Sequence, residues 1–186
     1  MTVTLRRVLT VRGARPDDAP DIVRINIRAW REAYAGIVPE DVLAAMDEAE
    51  RIERYRERLS QWSPFENVVA VDAGRTVGYT AFGPYRVGRH EAMLSRRVGE
   101  VLAIYVDPSR WGTGAGRTLM DAAVARLAAR GFTSVRLWVL TDNAQARRFY
   151  ERAGFTADGA RAGHPIGRPD GSVVELPVVR YVRLLP

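Results

Sequence analysis

The stretch SRWGTGAGRTLM at residues 109–120 contains three glycines within five positions, directly before an apolar run with helical spacing. Glycine permits a positive φ and lets a ligand approach the main chain closely. The free N–H groups and the positive dipole end of a following helix stabilise an anion, most naturally a phosphate. We call residues 111–117 the glycine loop. It predicts a phosphate-containing ligand, with a ligand-free turn as the alternative.

Two familiar phosphate-binding loops do not fit this stretch. A dinucleotide fingerprint, G-x-G-x-x-G, needs glycine at its sixth position, but counting from Gly112 or Gly114 gives Arg117 or Leu119. A nucleoside-triphosphate P-loop needs a lysine, and all 28 basic residues of this chain are arginines. The lack of lysine also excludes Schiff-base chemistry on the chain.

A strand, a helix, a second strand and a second helix are predicted to position the glycine loop. The buried strand stops at Asp107-Pro108, and the helix after the loop ends at Gly131. The second helix is opened by Asp142 or Asn143 and stopped by Gly154. A strand–helix–strand order requires parallel pairing through a crossover connection. These four elements cover residues 99–108, 116–131, 134–140 and 141–154.

The rest of the chain predicts more strands and two earlier helices. Asp17 or Asp18 caps the first helix, Pro39 opens the second, and Ala73-Gly74 forms a hairpin turn. The expected fold class is α/β (α+β), one domain over residues 1–186, with a mixed, mostly antiparallel twisted sheet of about seven strands and helices on both faces. The ranges are a strand at 4–16, helices at 16–36 and 39–62, a hairpin at 67–83, a basic loop at 84–99, and tail strands near 155–162 and 173–184.

Composition excludes several classes of function. The chain has 186 residues, a net charge of +6 and no cysteine, which removes disulfides, thiolate nucleophiles and zinc–thiolate sites. With only His90 and His164, we expect no metal site. The arginines are scattered among acidic residues, so we expect no nucleic-acid partner. No signal peptide or long apolar run is present, so we expect a cytoplasmic protein with no membrane partner.

Residues 100–120, EVLAIYVDPSRWGTGAGRTLM, resemble the acetyl-CoA motif of the GCN5-related N-acetyltransferases, the GNAT family. That family's loop reads Gln/Arg-x-x-Gly-x-Gly/Ala, and here Trp111 stands at its first position. A second family signature resembles residues 143–155, at the usual separation. The resemblance implies a GNAT fold with a splayed central parallel pair of strands.

The resemblance also implies an activity. It is the transfer of an acetyl group from acetyl-CoA to a primary amine of a small molecule or peptide, by direct attack in a ternary complex. The alternative is a catalytically silent module that binds or senses acyl-CoA. A homodimer through the tail strands is an open option.

The cofactor residues implied by the resemblance fall in three places. Backbone groups of β-strand residues would pair with the pantetheine arm, the glycine loop would hold the pyrophosphate, and Arg110, Arg117, Arg147 and Arg148 lie near enough in sequence to assist. Asn143 would contact pantetheine or cap its own helix. The implied set is Ile104, Tyr105, Val106, Trp111, Gly112, Thr113, Gly114, Ala115, Gly116, Arg117, Thr118, Asn143 and Arg148.

Tyr150 stands where the family has its acid tyrosine, with a core tyrosine tied to a backbone carbonyl as the alternative. By the resemblance, Glu100, expected at the start of its strand, is the candidate base acting through water, with Glu91 and Glu32 as weaker candidates. The alternatives are an exposed strand-end carboxylate with no role, and ordered water without a protein base. The backbone N–H of Val106 is the candidate oxyanion donor.

The resemblance implies an acceptor site built from the first two helices, the loop before the central strand and the tail hairpin. Its candidate lining residues are Trp30, Tyr34 and Phe82, with Trp62, Tyr79 and Tyr85 also available. A polyamine, an antibiotic amine, an amino acid and a protein N-terminus all remain open as acceptors. The positive net charge leans against polyamines.

Overall fold

The computed structural model describes residues 9–89 and 93–186, and within these ranges the chain forms seven strands and five α-helices. The candidate base Glu91 and His90 lie outside the described residues. The strands are β1 (Thr10–Gly13), β2 (Glu66–Asp72), β3 (Arg75–Arg86), β4 (Leu94–Val106), β5 (Ser134–Leu140), β6 (Thr156–Gly167) and β7 (Val173–Leu184). The helices are α1 (Ala19–Ala33), α2 (Glu40–Ala44), α3 (Glu48–Ser60), α4 (Ala115–Ala129) and α5 (Ala144–Arg152).

All strands join one sheet in the order β1-β2-β3-β4-β5-β7-β6. Among the described strands, β4 and β5 are the only parallel neighbours, and the others pair antiparallel. This confirms the predicted mixed, mostly antiparallel sheet. No helix in the two described ranges is long and apolar enough to span a bilayer.

Neighbouring residues of a strand point to opposite faces of the sheet. Both faces therefore present apolar side chains, and helices cover both. Leu119 and Met120 of α4 pack with Val68 on one face. Ile22 and Ile25 of α1 pack with Val69 on the other. The main apolar core therefore lies under α4 and α5, and a second layer lies under α1 and α3.

The prediction of one long helix from Pro39 is wrong, because two helices occupy that range. Asp47 has an extended backbone, with φ −75° and ψ 125°, and its side chain accepts a hydrogen bond from the backbone N–H of Glu50. An N-cap of this kind starts α3 and separates it from α2.

At the start of α1, the Asp18 side chain does not cap the helix, since it accepts hydrogen bonds from Arg12 and from the backbone of Arg15.

The prediction of a loop over residues 84–99 is also wrong for most of that range. β3 continues to Arg86, β4 already begins at Leu94, and the two strands pair here, as at Pro84↔Gly99. The segment is polar and basic in sequence, yet Glu100 of β4 accepts hydrogen bonds from Arg86. A strand can carry a charged side chain when an opposite charge on the neighbouring strand compensates it. The local sequence around Arg86 does not show that Glu100 is this partner.

The central parallel pair separates after a short contact. β4 and β5 pair at Val98↔Ser134, Gly99↔Val135 and Glu100↔Arg136, and at no later position of these two described strands. On its other side β4 carries a bulge, because Phe82 pairs with Val101 and Ala81 with Ala103, which leaves Leu102 as an extra residue. Bulges bend and twist a strand locally. The bulge lies where β4 turns away from β5, which confirms the expected splay.

Candidate active site

A cavity of about 450 Å³ opens between the diverging ends of β4 and β5. The walls are α1, β4, the glycine loop, β5, α5 and the tail hairpin formed by β6 and β7. The residues that line this cleft and matter below are Trp30, Tyr34, Arg86, Glu100, Ile104, Tyr105, Val106, Arg110, Trp111, Gly112, Gly114, Gly116, Arg117, Trp138, Leu140, Asn143, Phe149, Tyr150, Arg152, His164, Ile166 and Val178.

The glycine loop adopts the backbone conformation that its composition predicts. Gly112 and Gly114 have φ values of 75° and 92°, a region that side-chain-bearing residues rarely occupy. Gly114 immediately precedes α4, and the first N–H to be bonded within the helix region is that of Thr118, to the Gly114 carbonyl at 3.0 Å. The preceding N–H groups have no intrahelical acceptor, so they offer donors to an anion at the mouth of the cleft.

Trp111 joins the glycine loop to the end of β4. Its indole Nε1–H donates to the carbonyl oxygen of Val106 at 2.9 Å, and its ring packs against the main core. A neutral hydrogen bond of this type contributes about 1 kcal/mol net. The residue that departs from the family pattern therefore fastens the loop to the strand.

Residues Ile104, Tyr105 and Val106 lie on the part of β4 that has lost its β5 partner. Their backbone groups on that side have no neighbouring strand, so an extended ligand can pair with them as an added strand would. The implied pantetheine contacts are compatible with this edge.

The arginines near the loop differ in what they contact. Arg110 forms an ion pair with buried Asp72, and Arg147 donates to the Tyr181 hydroxyl at 3.2 Å and to the Thr141 carbonyl at 3.1 Å. Arg117 is exposed, bonds Asp121 at 3.2 Å and lines the cleft.

Arg148 is exposed on α5 and is not among the residues that line the cleft, so its contact with the cofactor stays a prediction. Arg152 does line the cleft, and sequence reasoning missed it. Arg152 lies three residues after the cleft-lining Phe149, so helical spacing was the signal that could have found it.

Tyr150 reaches the cleft from α5 and is surrounded by aromatic rings, with Phe149 and Phe155 edge-on to it. Among the described residues its hydroxyl has no hydrogen-bond partner, so the alternative of a tyrosine tied to a backbone carbonyl is wrong. Burial, with a smaller effect from Tyr105, raises the pKa of Tyr150 well above its ordinary value. The phenol therefore stays protonated at neutral and mildly alkaline pH.

Asn143 caps α5, since its side-chain oxygen accepts from the backbone N–H of Ala146 at 3.0 Å. The residue is buried and also lines the cleft. Of the two competing roles, the cap is the one observed. The side-chain amide nitrogen remains available as a donor for the proposed pantetheine contact.

Two aromatic residues of α1 line the cleft as expected. Trp30 and Tyr34 contact each other edge-on with ring centroids 4.9 Å apart, and the Tyr34 and Tyr105 hydroxyls are 3.2 Å apart. Burial, followed by the neighbouring Tyr105, raises the pKa of Tyr34 well above its ordinary value. This part of the cleft therefore presents uncharged hydroxyls.

The expectation that Phe82 contacts the acceptor is wrong. Phe82 is fully buried in the core under α4 and does not line the cleft. The strand is buried on both faces, so its sequence gives no alternation from which the facing side can be read. Tyr79, Tyr85 and Trp62 also lie outside the cleft lining, and Trp62 is 91% exposed.

Glu100 lies in the middle of β4 and not at its start, and it is 2% exposed. Arg86 donates to Oε2 from its backbone N–H at 3.0 Å and from Nε at 3.1 Å, and to Oε1 from Nη2 at 2.8 Å. A carboxylate offers about four acceptor positions, so about one remains, on Oε1. Glu32 is exposed on α1 and does not line the cleft.

Arg86, Trp138 and His164 also line the cleft, although their sequence neighbourhood did not predict it. These residues lie on three different strands, and only the long-range pairing of the sheet brings them together. Among the described residues, no group of His, Asp or Glu side chains is arranged to hold a metal ion.

Comparison with known proteins identifies the family. The family described as "Acetyltransferase (GNAT) family" matches residues 27–155, more than half of the chain. The chain belongs to the GNAT acetyltransferases. This confirms the resemblance found in the two sequence signatures.

Two relatives illustrate the range of similarity. The uncharacterised N-acetyltransferase YuaI of Bacillus subtilis is 32% identical over 136 residues, covering 73% of this chain and 74% of that protein. A mycothiol acetyltransferase of Thermobispora bispora is 48% identical over 150 residues, covering 81% of this chain and 46% of that protein. The chain thus spans about half the length of this mycothiol acetyltransferase.

Solved structures share the fold at low sequence identity. The PaiA N-acetyltransferase of Thermoplasma acidophilum, solved in complex with coenzyme A, has a TM-score of 0.72 and 17% identity, covering 96% of this chain and 99% of that one. YncA of Salmonella typhimurium, solved with acetyl-CoA, has a TM-score of 0.67 and 23% identity, covering 96% and 95%.

We predict that Gly114→Ala weakens CoA binding at least tenfold, because alanine disfavours the φ of 92° that orients the loop's N–H groups. Gly171→Ala is the matched control, since Gly171 has a φ of 84° and open space around it, in the tail turn. Both variants should lose stability by roughly 1–2 kcal/mol. Calorimetry with CoA and thermal unfolding measure the two effects. Equal CoA affinities in the two variants would contradict the role of the loop.

We predict that Trp111→Phe raises the CoA dissociation constant about fivefold, the equivalent of one lost hydrogen bond of about 1 kcal/mol. Phenylalanine keeps an aromatic ring in the same place but cannot donate to the Val106 carbonyl. The control is Trp62→Phe at an exposed position. Titration with CoA checks both variants, and unchanged affinity in Trp111→Phe would show that the indole N–H does not help to order the loop.

Proposed function

We propose that the protein transfers the acetyl group of acetyl-CoA to a primary amine of a small molecule or peptide, by direct attack in a ternary complex. The observation that carries the proposal is the cleft between β4 and β5, which has an anion-binding loop at its mouth and the unbonded Tyr150 hydroxyl inside. The names of the relatives, which are N-acetyltransferases and mycothiol acetyltransferases, support acetyl transfer.

The proposed binding of acetyl-CoA uses backbone groups more than side chains. The N–H groups at the start of α4 hold the pyrophosphate, and the exposed guanidinium groups of Arg117 and Arg152 pair with phosphate oxygens. The unpaired edge at residues 104–106 orients the pantetheine arm. The Val106 N–H donates to the oxygen that gains negative charge during attack. The thioester supplies the acetyl group.

Tyr150 is the proposed general acid. Its hydroxyl is protonated and unbonded to the described protein groups, so it can donate a proton to the departing thiolate. The surrounding rings of Phe149 and Phe155 limit its movement.

Glu100 is the proposed base, acting through water. It is the only carboxylate among the described residues that line the cleft. The acceptor position that Arg86 leaves open on Oε1 can hold a water molecule that collects the amine proton. Arg86 keeps the carboxylate group fixed in direction while this happens.

Thiol release from acetyl-CoA in the presence of single amines tests the activity, with mass spectrometry of the acetylated amine. Mycothiol lacking its acetyl group belongs in this amine panel because of the mycothiol acetyltransferase relatives. Tight CoA binding without thiol release from any amine would support the alternative, a catalytically silent acyl-CoA-binding or sensing module.

We predict that Tyr150→Phe lowers kcat about 100-fold, the lower end of the usual contribution of a general acid. The CoA dissociation constant should stay within a factor of two, because the ring and its packing are retained. Steady-state rates and calorimetry with CoA are the measurements. A rate equal to wild type would remove Tyr150 from the mechanism.

We predict that Glu100→Gln lowers kcat at least tenfold without changing CoA affinity, because the amide keeps the shape of the side chain but cannot take a proton. Glu32→Gln is the control, because Glu32 is exposed on α1 and does not line the cleft. Thermal unfolding shows whether a lower kcat comes with a loss of stability, as expected if the substitution also weakens the hydrogen bonds with Arg86. Equal rates in both variants would refute the base assignment.

A further inference from the structure

The acceptor end of the cleft is lined by aromatic and aliphatic side chains from four elements. Trp30 and Tyr34 come from α1, and the other four side chains come from β5, β6 and β7. We call this group the acceptor chamber, and its residues are Trp30, Tyr34, Trp138, Leu140, Ile166 and Val178.

The chamber is built before any ligand arrives. Its residues belong to one packed cluster with Val42 and Leu43 of α2, so the tail hairpin is held against α1 and α2. At the surface, an ion pair of 2.9 Å between Arg168 and Asp41 also joins the tail hairpin to α2. A preformed apolar wall binds a matching apolar group with little ordering cost.

Charge in the cleft is unfavourable for a second ammonium group. Glu100, the one carboxylate on the described lining, is compensated by Arg86 at 2.8 Å. The other arginines on the lining add no carboxylate: Arg110 is paired with buried Asp72, and Arg117 and Arg152 lie at the end of the cleft that the proposed function assigns to phosphate. His164, on β6 between the cluster residues Ala162 and Ile166, adds an imidazole and no negative charge. A buried cation without a carboxylate partner is strongly disfavoured.

We propose that the acceptor is a primary amine carried on an uncharged aliphatic or aromatic body, and that polyamines are rejected. The inference rests on the proposed function and names the substrate class of the same site. The amine enters the region near Glu100 and Tyr150, and its apolar body lies against the chamber.

A homologous series of amines gives a quantitative test. With acetyl-CoA saturating, kcat/KM should rise about two- to fourfold for each methylene from propylamine to hexylamine, since a buried methylene is worth up to about fourfold in affinity. The diamine 1,6-diaminohexane has the same chain length as hexylamine but a second ammonium, and its kcat/KM should be at least tenfold lower. A flat series, or a diamine as good as hexylamine, would overturn the proposal.

The chamber residues can be tested by a matched pair of tryptophan variants. Trp30→Leu should flatten the dependence on chain length, whereas Trp62→Leu, at the 91% exposed position, should keep it. Thermal unfolding verifies that both variants are folded. The same slope in Trp30→Leu as in wild type would show that the chamber does not hold the acceptor body.

Failure of this inference and failure of the proposed function give different results. Thiol release with a flat series overturns the substrate class alone, and absence of thiol release overturns the enzyme activity. Calorimetric titration of the CoA complex with hexylamine and 1,6-diaminohexane gives a readout that needs no turnover. At least tenfold tighter binding of hexylamine is expected, and equal binding would overturn the inference.

Discussion

The separation of β4 from β5 is the constraint on which the rest of the structure depends. Two neighbouring parallel strands normally bond along their whole overlap, but here the pairing ends at Glu100 and Arg136. Each buried backbone group left without a partner costs about 1–3 kcal/mol. The extra residue at Leu102 forces β4 to bend, and the resulting cleft lets water or a ligand reach those groups. Under the proposed function, a bound acyl-CoA would complete a sheet that the chain leaves incomplete.

A chain without lysine must bind a phosphate by other means, and the proposed function assigns this to the glycine loop. Main-chain N–H groups at the start of α4 carry no side-chain entropy, and Gly114, which precedes them with a φ of 92°, lines the cleft. Arginines near the loop are divided between structure and ligand: Arg110 is committed to Asp72, whereas Arg117 keeps an exposed guanidinium. Trp111 then ties the loop to β4. Under the proposed function, phosphate recognition thus depends on backbone geometry more than on the number of positive charges.

Local signals in the sequence predicted the elements whose causes are local. The turn at Ala73-Gly74 and the positive φ of Gly114 follow from residue type alone. Features with long-range causes could not be predicted from the local sequence. The face to which Phe82 points depends on a bulge in the neighbouring strand. The burial of Glu100 depends on Arg86, 14 residues away. The cap by Asp47 is local and was readable, but the continuous charged pattern around it hid the break between α2 and α3.

Under the proposed function, two sets of groups that must meet for acyl transfer approach the cleft from opposite faces of the sheet. Tyr150 belongs to α5 and packs with the core under α4, whereas Tyr34 belongs to α1 and contacts the chamber residues. A continuous sheet would keep these tyrosines apart. Yet Tyr34, Tyr105 and Tyr150 all line the one cleft, and the Tyr34 and Tyr105 hydroxyls are 3.2 Å apart. The missing strand pairs therefore open a cleft in which, under the proposed function, an acid from one face can serve an acceptor from the other.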